Sequence, residues 1–338
     1  MSKELYKERY CIFAILSGCL IFSFAYANRT TFPFPWNDEA RFYLPALWWA
    51  EHFSLSPVNL HAPSGIFWVP DGFTIFMGLA LGFFGKTMQI ARAVCECVVA
   101  LGVTVFAFGF RKLGGSWQAG ALTTLLLLTP PVVFAANMVR MEAPLFLLIA
   151  VALLLHLYGH VLAASSVLTG SLLFHPALGL AAVGYAVIVY LIPAKGRVKH
   201  SVTAMDWVIV AVVATCFLAE IFRIVHHLSL FEAHMAYQIR HKLHSTIPTM
   251  LIRPQGLILL ISCATVVLLL WRRHAHPKLG GVLDILPVAG IALGISIYAV
   301  FGGEMAYDVY SLSVSPALVF CLVCRDLDGC WTNGLPIS

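Results

Sequence analysis

Length, composition and charge define the environment of this chain before any motif is considered. Its 338 residues are 60% hydrophobic and only 11% charged, and the mean hydropathy is +0.87. This composition excludes an ordinary soluble domain and indicates a polytopic membrane protein. The net charge of +5 matches the surplus of Lys and Arg in the cytoplasmic loops of membrane proteins, so it requires no nucleic-acid partner.

The first apolar run, residues 10–27, predicts a retained transmembrane helix. It is too long for the apolar part of a signal peptide and lacks a clear small-residue cleavage site. Nine further spans are predicted, over residues 89–110, 117–136, 142–158, 161–174, 177–193, 205–222, 247–271, 282–301 and 308–324. The fold class expected for residues 1–338 is therefore a single all-α integral membrane domain, a bundle of about ten transmembrane helices.

The short apolar segment at residues 72–85, GFTIFMGLALGFFG, decides the orientation of the later helices. Because a spanning helix needs roughly 17–25 residues, we expect this segment to be interfacial or re-entrant. When this segment is not counted as a span, the basic clusters at 111–112, 195–199 and 272–278 fall on the same side of the membrane as the N-terminus. The positive-inside rule assigns that side to the cytoplasm. Both termini are then cytoplasmic.

This arrangement leaves residues 28–88 as a long first extracytoplasmic loop, and it gathers polar residues at the outer face. A second extracytoplasmic segment, residues 226–250, is amphipathic and rich in histidine. We interpret that segment as an interfacial helix, because its histidines do not form the convergent set that a zinc site needs. The other polar residues predicted at the outer face are Arg140, Glu142, His175, Arg253, Glu304 and Asp308.

The stretch NDEARFYLPALWWAE, residues 37–51, begins a predicted helix in the first loop. Asn37 is a favourable N-cap, and acidic residues in the first turn favour the helix dipole. Trp48 and Trp49 suit the bilayer interface. Asp38 and Arg41, three residues apart, share a face, so they form either a local ion pair or a proton acceptor beside a cation, which suits transfer onto a hydroxyl or amine.

Several stretches in this order resemble the membrane-embedded GT-C glycosyltransferases that use polyprenyl-phosphate sugars, such as protein O-mannosyltransferases and lipid A aminoarabinose transferases. NDEARFYLPALWWAE is similar to the family's Asp-Glu loop motif. HAPSGIFWVPDG, the Ala-Arg start of the second helix, and ALTTLLLLTPPVVFAANMVRMEAPLFLL are similar to later family features. The resemblance covers about residues 10–195. One departure is GGEMAYDVYSLSVSP, which lacks the family's basic residue in its later outer loop.

The resemblance implies a single displacement at the anomeric carbon, with inversion of configuration and a lipid phosphate as the leaving group. It implies that Asp38 is the base that activates the acceptor, with Glu39 beside it, and that Arg140 and Glu142 form a polar pair at the outer end of the fourth helix. A leaving phosphate needs cations. The candidate substrate- or phosphate-binding residues are Arg41, His61, Asp71, Arg140, Glu142, His175 and Arg253.

The expected partners are a polyprenyl-phosphate sugar donor, a lipid, glycan or protein acceptor, and membrane lipids, with no cofactor and no metal site. The expected location is a bacterial inner (plasma) membrane. Two alternatives remain open. One is a secondary transporter, because charged residues within spans mark substrate paths; those residues are Arg92, Glu96, Asp206 and Glu220. The other is a non-catalytic subunit that binds a lipid-linked sugar.

Overall fold

The structure is a computed structural model, and the part of the chain that it describes is all-helical. It describes residues 3–28, 37–55, 69–112, 136–175, 178–191, 202–242, 254–275, 289–294 and 297. No β-strand occurs in these ranges. The all-α part of the predicted fold class is therefore confirmed.

Ten α-helices have defined bounds within the described ranges. They are α1 (Lys3–Asn28), α2 (Asn37–His52), α3 (Asp71–Phe84), α4 (Met88–Lys112), α5 (Glu142–Leu157), α6 (Val161–Gly170), α7 (Leu178–Ala186), α8 (Ala204–His226), α9 (Leu228–Lys242) and α10 (Pro254–Ala275). A 3-10 turn, Ser171–Leu173, extends α6, and a π-helical turn, Val187–Leu191, extends α7.

Seven of the predicted spans coincide with helices, namely with α1, α4, α5, α6, α7, α8 and α10. The predicted span 308–324 lies outside the described residues. The predicted span 117–136 does too, except for its last residue. Of the predicted span 282–301, residues 289–294 are helical. Most ends of these seven helices lie within four residues of the predicted ends, but α1 begins at residue 3 instead of residue 10, and α10 is described from residue 254 instead of residue 247.

Two described helices are long and apolar enough to cross a membrane, over Met88–Gly109 in α4 and Ala204–His226 in α8. Helix α8 exposes large apolar side chains along its length, including Val208, Val212, Leu218 and Phe222. Such exposure suits contact with lipid rather than with water. The described helices thus include candidate membrane-spanning segments, as the composition predicted.

The core forms around α4, which packs against α1 on one side and α5 on the other. Small residues permit the close approach: a Cβ atom added to Gly18 of α1 would lie 2.1 Å from the Oγ1 atom of Thr104 in α4. A Cβ atom on Gly102 of α4 would meet the Phe146 ring of α5 at 2.6 Å. Close contacts of this kind are typical of helices that pack in membranes.

The segment between α1 and α4 contributes the two helices α2 and α3, which pack on each other. Gly78 of α3 lies against Trp49 of α2, and the Phe42 and Phe73 rings meet edge to face with centroids 5.7 Å apart. The Tyr43 hydroxyl donates to the Lys86 carbonyl over 2.8 Å. Helix α3 has 14 residues, about 21 Å of helix, which is shorter than the hydrocarbon thickness of about 30 Å.

Candidate functional site

A buried ion pair between Glu39 and Arg92 joins α2 to α4. The Nε atom of Arg92 donates to Oε1 of Glu39 over 2.9 Å, and its Nη2 atom donates to Oε2. The backbone N–H of Val139, just before α5, donates to Oε1 over 3.0 Å. One carboxylate therefore connects three segments of the chain that are far apart in sequence.

The Glu39 and Arg92 side chains are almost completely withdrawn from solvent, with 2% and 5% of their surfaces exposed. Both carboxylate oxygens of Glu39 accept hydrogen bonds, and the two-point contact with the guanidinium fixes their orientation. A carboxylate held in this way orients the helices around it. Its geometry fits a positioning role better than the role of a base that must meet an acceptor.

Arg140 and Glu142 form a second ion pair beside the first. The Nη2 atom of Arg140 lies 3.2 Å from Oε1 of Glu142, and the guanidinium carbon lies 5.5 Å from the centroid of the Phe42 ring. Glu142 occupies the first turn of α5, where the helix dipole favours a negative charge. Arg140 and Glu142, predicted from the sequence as a polar pair, are thus in contact and border α2.

Helix N-termini converge at these two ion pairs. Glu39 lies in the first turn of α2, Arg92 in the second turn of α4, and Val139 and Arg140 directly precede α5. The aligned peptide dipoles give each N-terminus a partial positive charge. In the structure the Glu39 and Glu142 carboxylates occupy these positively polarised surroundings.

The remaining residues predicted in the first loop are described to different extents. Asp38 belongs to α2, one residue before Glu39, but its side chain lies outside the described part of the structure. Arg41 is half-buried on the same helix. His61 lies outside the described residues, as does Arg253.

Asp71, also predicted as a binding residue, is ion-paired at the start of α3. Its Oδ2 atom lies 2.7 Å from the Nε atom of Arg223, in the last turn of α8. Arg223 also contacts Glu220, one turn earlier on α8, at 2.7 Å from Nη2 to Oε1. Phe73, two residues after Asp71, meets the Phe42 ring edge to face, and Arg140 lies over that Phe42 ring.

His175 is buried at the end of the 3-10 turn that follows α6. This turn packs on the start of α3: a Cβ atom added to Gly72 would lie 2.7 Å from the Leu173 carbonyl oxygen, and the rings of Phe174 and Phe76 meet with centroids 6.3 Å apart. The structure thus brings the segments carrying Asp71 and His175 together.

The sequence pattern does not mark Arg92 or Arg223 as residues of the transferase site. Arg92 belongs to the Ala-Arg start of a predicted helix and is a charge within a predicted span. A charge four residues into an apolar helix that follows a loop with carboxylates was the available signal. In the described part of the chain, no group of three or more His, Cys, Asp and Glu side chains has the geometry to hold a metal ion.

Comparisons of the chain with models of protein families, with curated proteins and with solved structures find no match.

Proposed function

We propose that the chain is a membrane glycosyltransferase that moves a sugar from a polyprenyl-phosphate donor to a lipid, glycan or protein acceptor at the extracytoplasmic face. The observation that carries the proposal is the contact of Glu39 with Arg92 and with the backbone of Val139. It brings the helix of Asp38 and Arg41 to the same end of the bundle as Arg140 and Glu142.

The proposed topology is a bundle of about ten spans with both termini in the cytoplasm of a bacterial cell. Its support is that long-range contacts join residues assigned to the same side: Glu39 with Arg92, Asp71 with Arg223, and His160 with Asp206. If α3 crossed the membrane, Glu39 and Arg92 would lie on opposite faces, as would Asp71 and Arg223. The short distances within these two pairs therefore support an α3 that does not cross the membrane.

The chemistry needs a cationic environment for the phosphate that leaves. As the bond from the anomeric carbon to the phosphate oxygen breaks, negative charge grows on that oxygen. Guanidinium groups and helix N-termini that are fixed in advance stabilise such a charge. In this proposal Arg140, which also contacts Glu142, and Arg41 meet the phosphate, whereas Arg92 is held at two points by Glu39 and positions α2.

Asp38 acts as the general base. It accepts the proton of the acceptor hydroxyl or amine while the acceptor atom forms a bond to the anomeric carbon on the face opposite the phosphate, so the configuration inverts. Glu39 and Arg92 are positioning residues, which hold the first turn of α2 against α4. Asp71 serves to attach α3 to α8 instead of touching the substrate.

The position of the charged groups argues against the secondary transporter. A transporter site lies near the middle of the membrane, within broken helices of related halves. Arg92 instead pairs with Glu39 near the start of α4, and Asp206 caps a helix at the start of α8. Glu220 pairs with Arg223 in the last turns of α8. These contacts place Arg92, Asp206 and Glu220 near helix ends, whereas Glu96 is buried further along α4, in its third turn.

Transfer of labelled sugar tests the proposal. Membranes that contain the wild-type chain or Asp38→Asn would be supplied with polyprenyl-phosphate sugars and with lipid or glycan acceptors, at matched protein levels. Removal of a general base should lower the transfer rate by about 100-fold or more. Glu51→Gln is the matched control, because Glu51 is an exposed acid on the same helix, α2.

Transfer by the wild type and by Glu51→Gln, with little transfer by Asp38→Asn, is the expected result. Equal transfer by Asp38→Asn would remove Asp38 as the base. Binding of the donor without transfer by the wild type would favour the non-catalytic subunit over the enzyme.

A further inference from the structure

Two carboxylates share one arginine where the start of α3 meets the end of α8. The Nε atom of Arg223 lies 2.7 Å from Oδ2 of Asp71 and donates to Oε2 of Glu220 over 3.1 Å. Its Nη2 atom donates to Oε1 of Glu220 over 2.7 Å. The side chains of Asp71 and Arg223 are only 15% and 14% exposed, and that of Glu220 is 23% exposed.

The charges of this cluster do not balance when every group is ionised. Two carboxylates against one guanidinium leave one excess negative charge in surroundings with little water, where uncompensated charge is costly. One proton removes the excess: a protonated Asp71 donates to Glu220, while Arg223 neutralises the Glu220 carboxylate. Carboxyl groups that share a site in this way hold a proton well above their usual range.

We propose that this cluster, Asp71, Glu220 and Arg223, is a proton-dependent latch that fastens α3 to α8 and opens when the shared proton is lost. Opening separates the first turn of α3 from α8. Because α3 packs on α2, the latch controls how firmly the loop helices are held on the bundle. The inference rests on the contacts of the cluster, and it stands whether or not the chain transfers sugar.

The direction of the pH dependence follows from Asp71. Burial raises the pKa of Asp71 to about 8. The nearby Glu220 carboxylate also raises this pKa, while the Arg223 guanidinium lowers it. In the open state Asp71 is solvated, and its pKa returns to about 3.9. The latched state therefore binds more protons between these two values, so the latch is strongest at low pH and weakens as the pH rises towards 8.

Arg223 and Glu220 are the charged groups that act on Asp71 in the described part of the chain. Other elements packed nearby carry further titratable or charged groups. His175 ends the turn against α3, Arg140 lies beyond Phe42, and Arg92 on α4 is bound to Glu39. Beyond Arg223 the chain continues with His226, His227, Glu232 and His234.

Hydrogen exchange of the full chain in lipid nanodiscs tests the latch. The reporter is the first turn of α3, where the Thr74 amide bonds to the Pro70 carbonyl over 3.2 Å. After correction for the intrinsic pH dependence of exchange, protection of this turn in the wild type should fall by about tenfold or more between about pH 6 and about pH 9.

Two substitutions remove the need for the shared proton. Asp71→Asn mimics the protonated acid, since its amide donates to Glu220 and accepts from Arg223. Glu220→Gln leaves one carboxylate for one guanidinium. Each variant should keep the turn protected at both pH values. Glu232→Gln, which changes an exposed acid on α9, is the matched control and should retain the wild-type dependence.

A wild-type protection factor that does not change with pH would overturn the proposal, and so would a wild-type-like fall in both Asp71→Asn and Glu220→Gln. Because exchange is measured without substrate, failure of the latch is distinguishable from failure of the transferase proposal, which the sugar-transfer assay reports.

Discussion

The Glu39 carboxylate and the Arg92 guanidinium meet in a two-point ion pair that is buried between α2 and α4, although 53 residues separate them in the sequence. Within the described structure this pair, together with the Val139 N–H, ties the loop helix α2 to the starts of α4 and α5. Its removal should therefore affect both the stability of the fold and the geometry of the proposed site.

Glu39→Gln should lower the free energy of unfolding by about 3–5 kcal/mol, because it leaves the Arg92 charge buried without its counter-ion. Arg92→Leu should have a similar effect. The double variant Glu39→Leu with Arg92→Leu should be less destabilised than the sum of the single changes, since neither charge is then left alone. Unfolding in detergent micelles would measure these differences.

The exposed pair of Lys86 and Glu51 is the control for this prediction. Its atoms are 3.7 Å apart, and both side chains are nearly half exposed. Lys86→Gln should change stability by less than about 1 kcal/mol. Additive effects of the Glu39 and Arg92 substitutions would show that the two groups do not stabilise each other.

The sequence located the helices well because long apolar runs carry their own signal. It could not identify the partner of Glu39. The sequence of the first loop does not show whether Asp38 or Glu39 turns towards the bundle. It marks Arg92 simply as a charged residue within a predicted span. The choice depends on how α2 rotates against α4, which is a property of packing and not of composition.

The role of Asp206, at the other end of the bundle, could not be predicted from the sequence either. Within an apolar run, a lone acid indicates either a substrate path or a cap. Only its contacts decide between the two. The Ala163 and Thr203 backbone N–H groups donate to the Asp206 carboxylate, so it caps helices.

Packing between α2 and α3 can be tested at two glycines of the same helix. A Cβ atom on Gly78 would lie 2.7 Å from the Trp49 ring and 3.0 Å from the Ala46 carbonyl oxygen, whereas a Cβ atom on Gly82 would meet nothing within 4 Å. Gly78→Ala should therefore destabilise the protein by about 1–3 kcal/mol. Gly82→Ala should be neutral, or stabilising by up to about 1 kcal/mol.

Thermal unfolding of both glycine variants, together with hydrogen exchange of α3, would measure the effect. Equal behaviour of the two variants would contradict the close contact of α3 with α2. A selective loss of protection in α3 for Gly78→Ala would support it.

Asp206→Ala should lower the free energy of unfolding by about 1–3 kcal/mol, because it removes the caps of two helices. The Asp206 carboxylate accepts from the Thr203 N–H over 2.8 Å at the start of α8, and from the Ala163 N–H over 3.2 Å in the first turn of α6. Thr215→Ala, at an exposed position of α8 where the hydroxyl donates to the Ala211 carbonyl of the same helix, should change stability by less than about 0.5 kcal/mol. Faster hydrogen exchange in the first turns of both α6 and α8 would identify the double cap, while a change confined to α8 would contradict the link to α6.

Tyr185 and Tyr190 provide a matched pair for the contact between α5 and α7. Tyr185 is 1% exposed, and its hydroxyl lies 2.9 Å from Nδ1 of His156 on α5; Tyr190 is 57% exposed, and its hydroxyl meets Ser165 at 2.9 Å. Tyr185→Phe should lower the free energy of unfolding by about 0.5–1.5 kcal/mol, since it removes the hydrogen bond to the half-buried His156 ring. Tyr190→Phe should have an effect of less than about 0.5 kcal/mol, because water or lipid headgroups can replace the lost contact. Unfolding in the same detergent would measure both effects. Equal effects of the two substitutions would contradict a stabilising role for the Tyr185–His156 hydrogen bond. A loss confined to Tyr185→Phe would show that this hydrogen bond helps to hold α7 against α5.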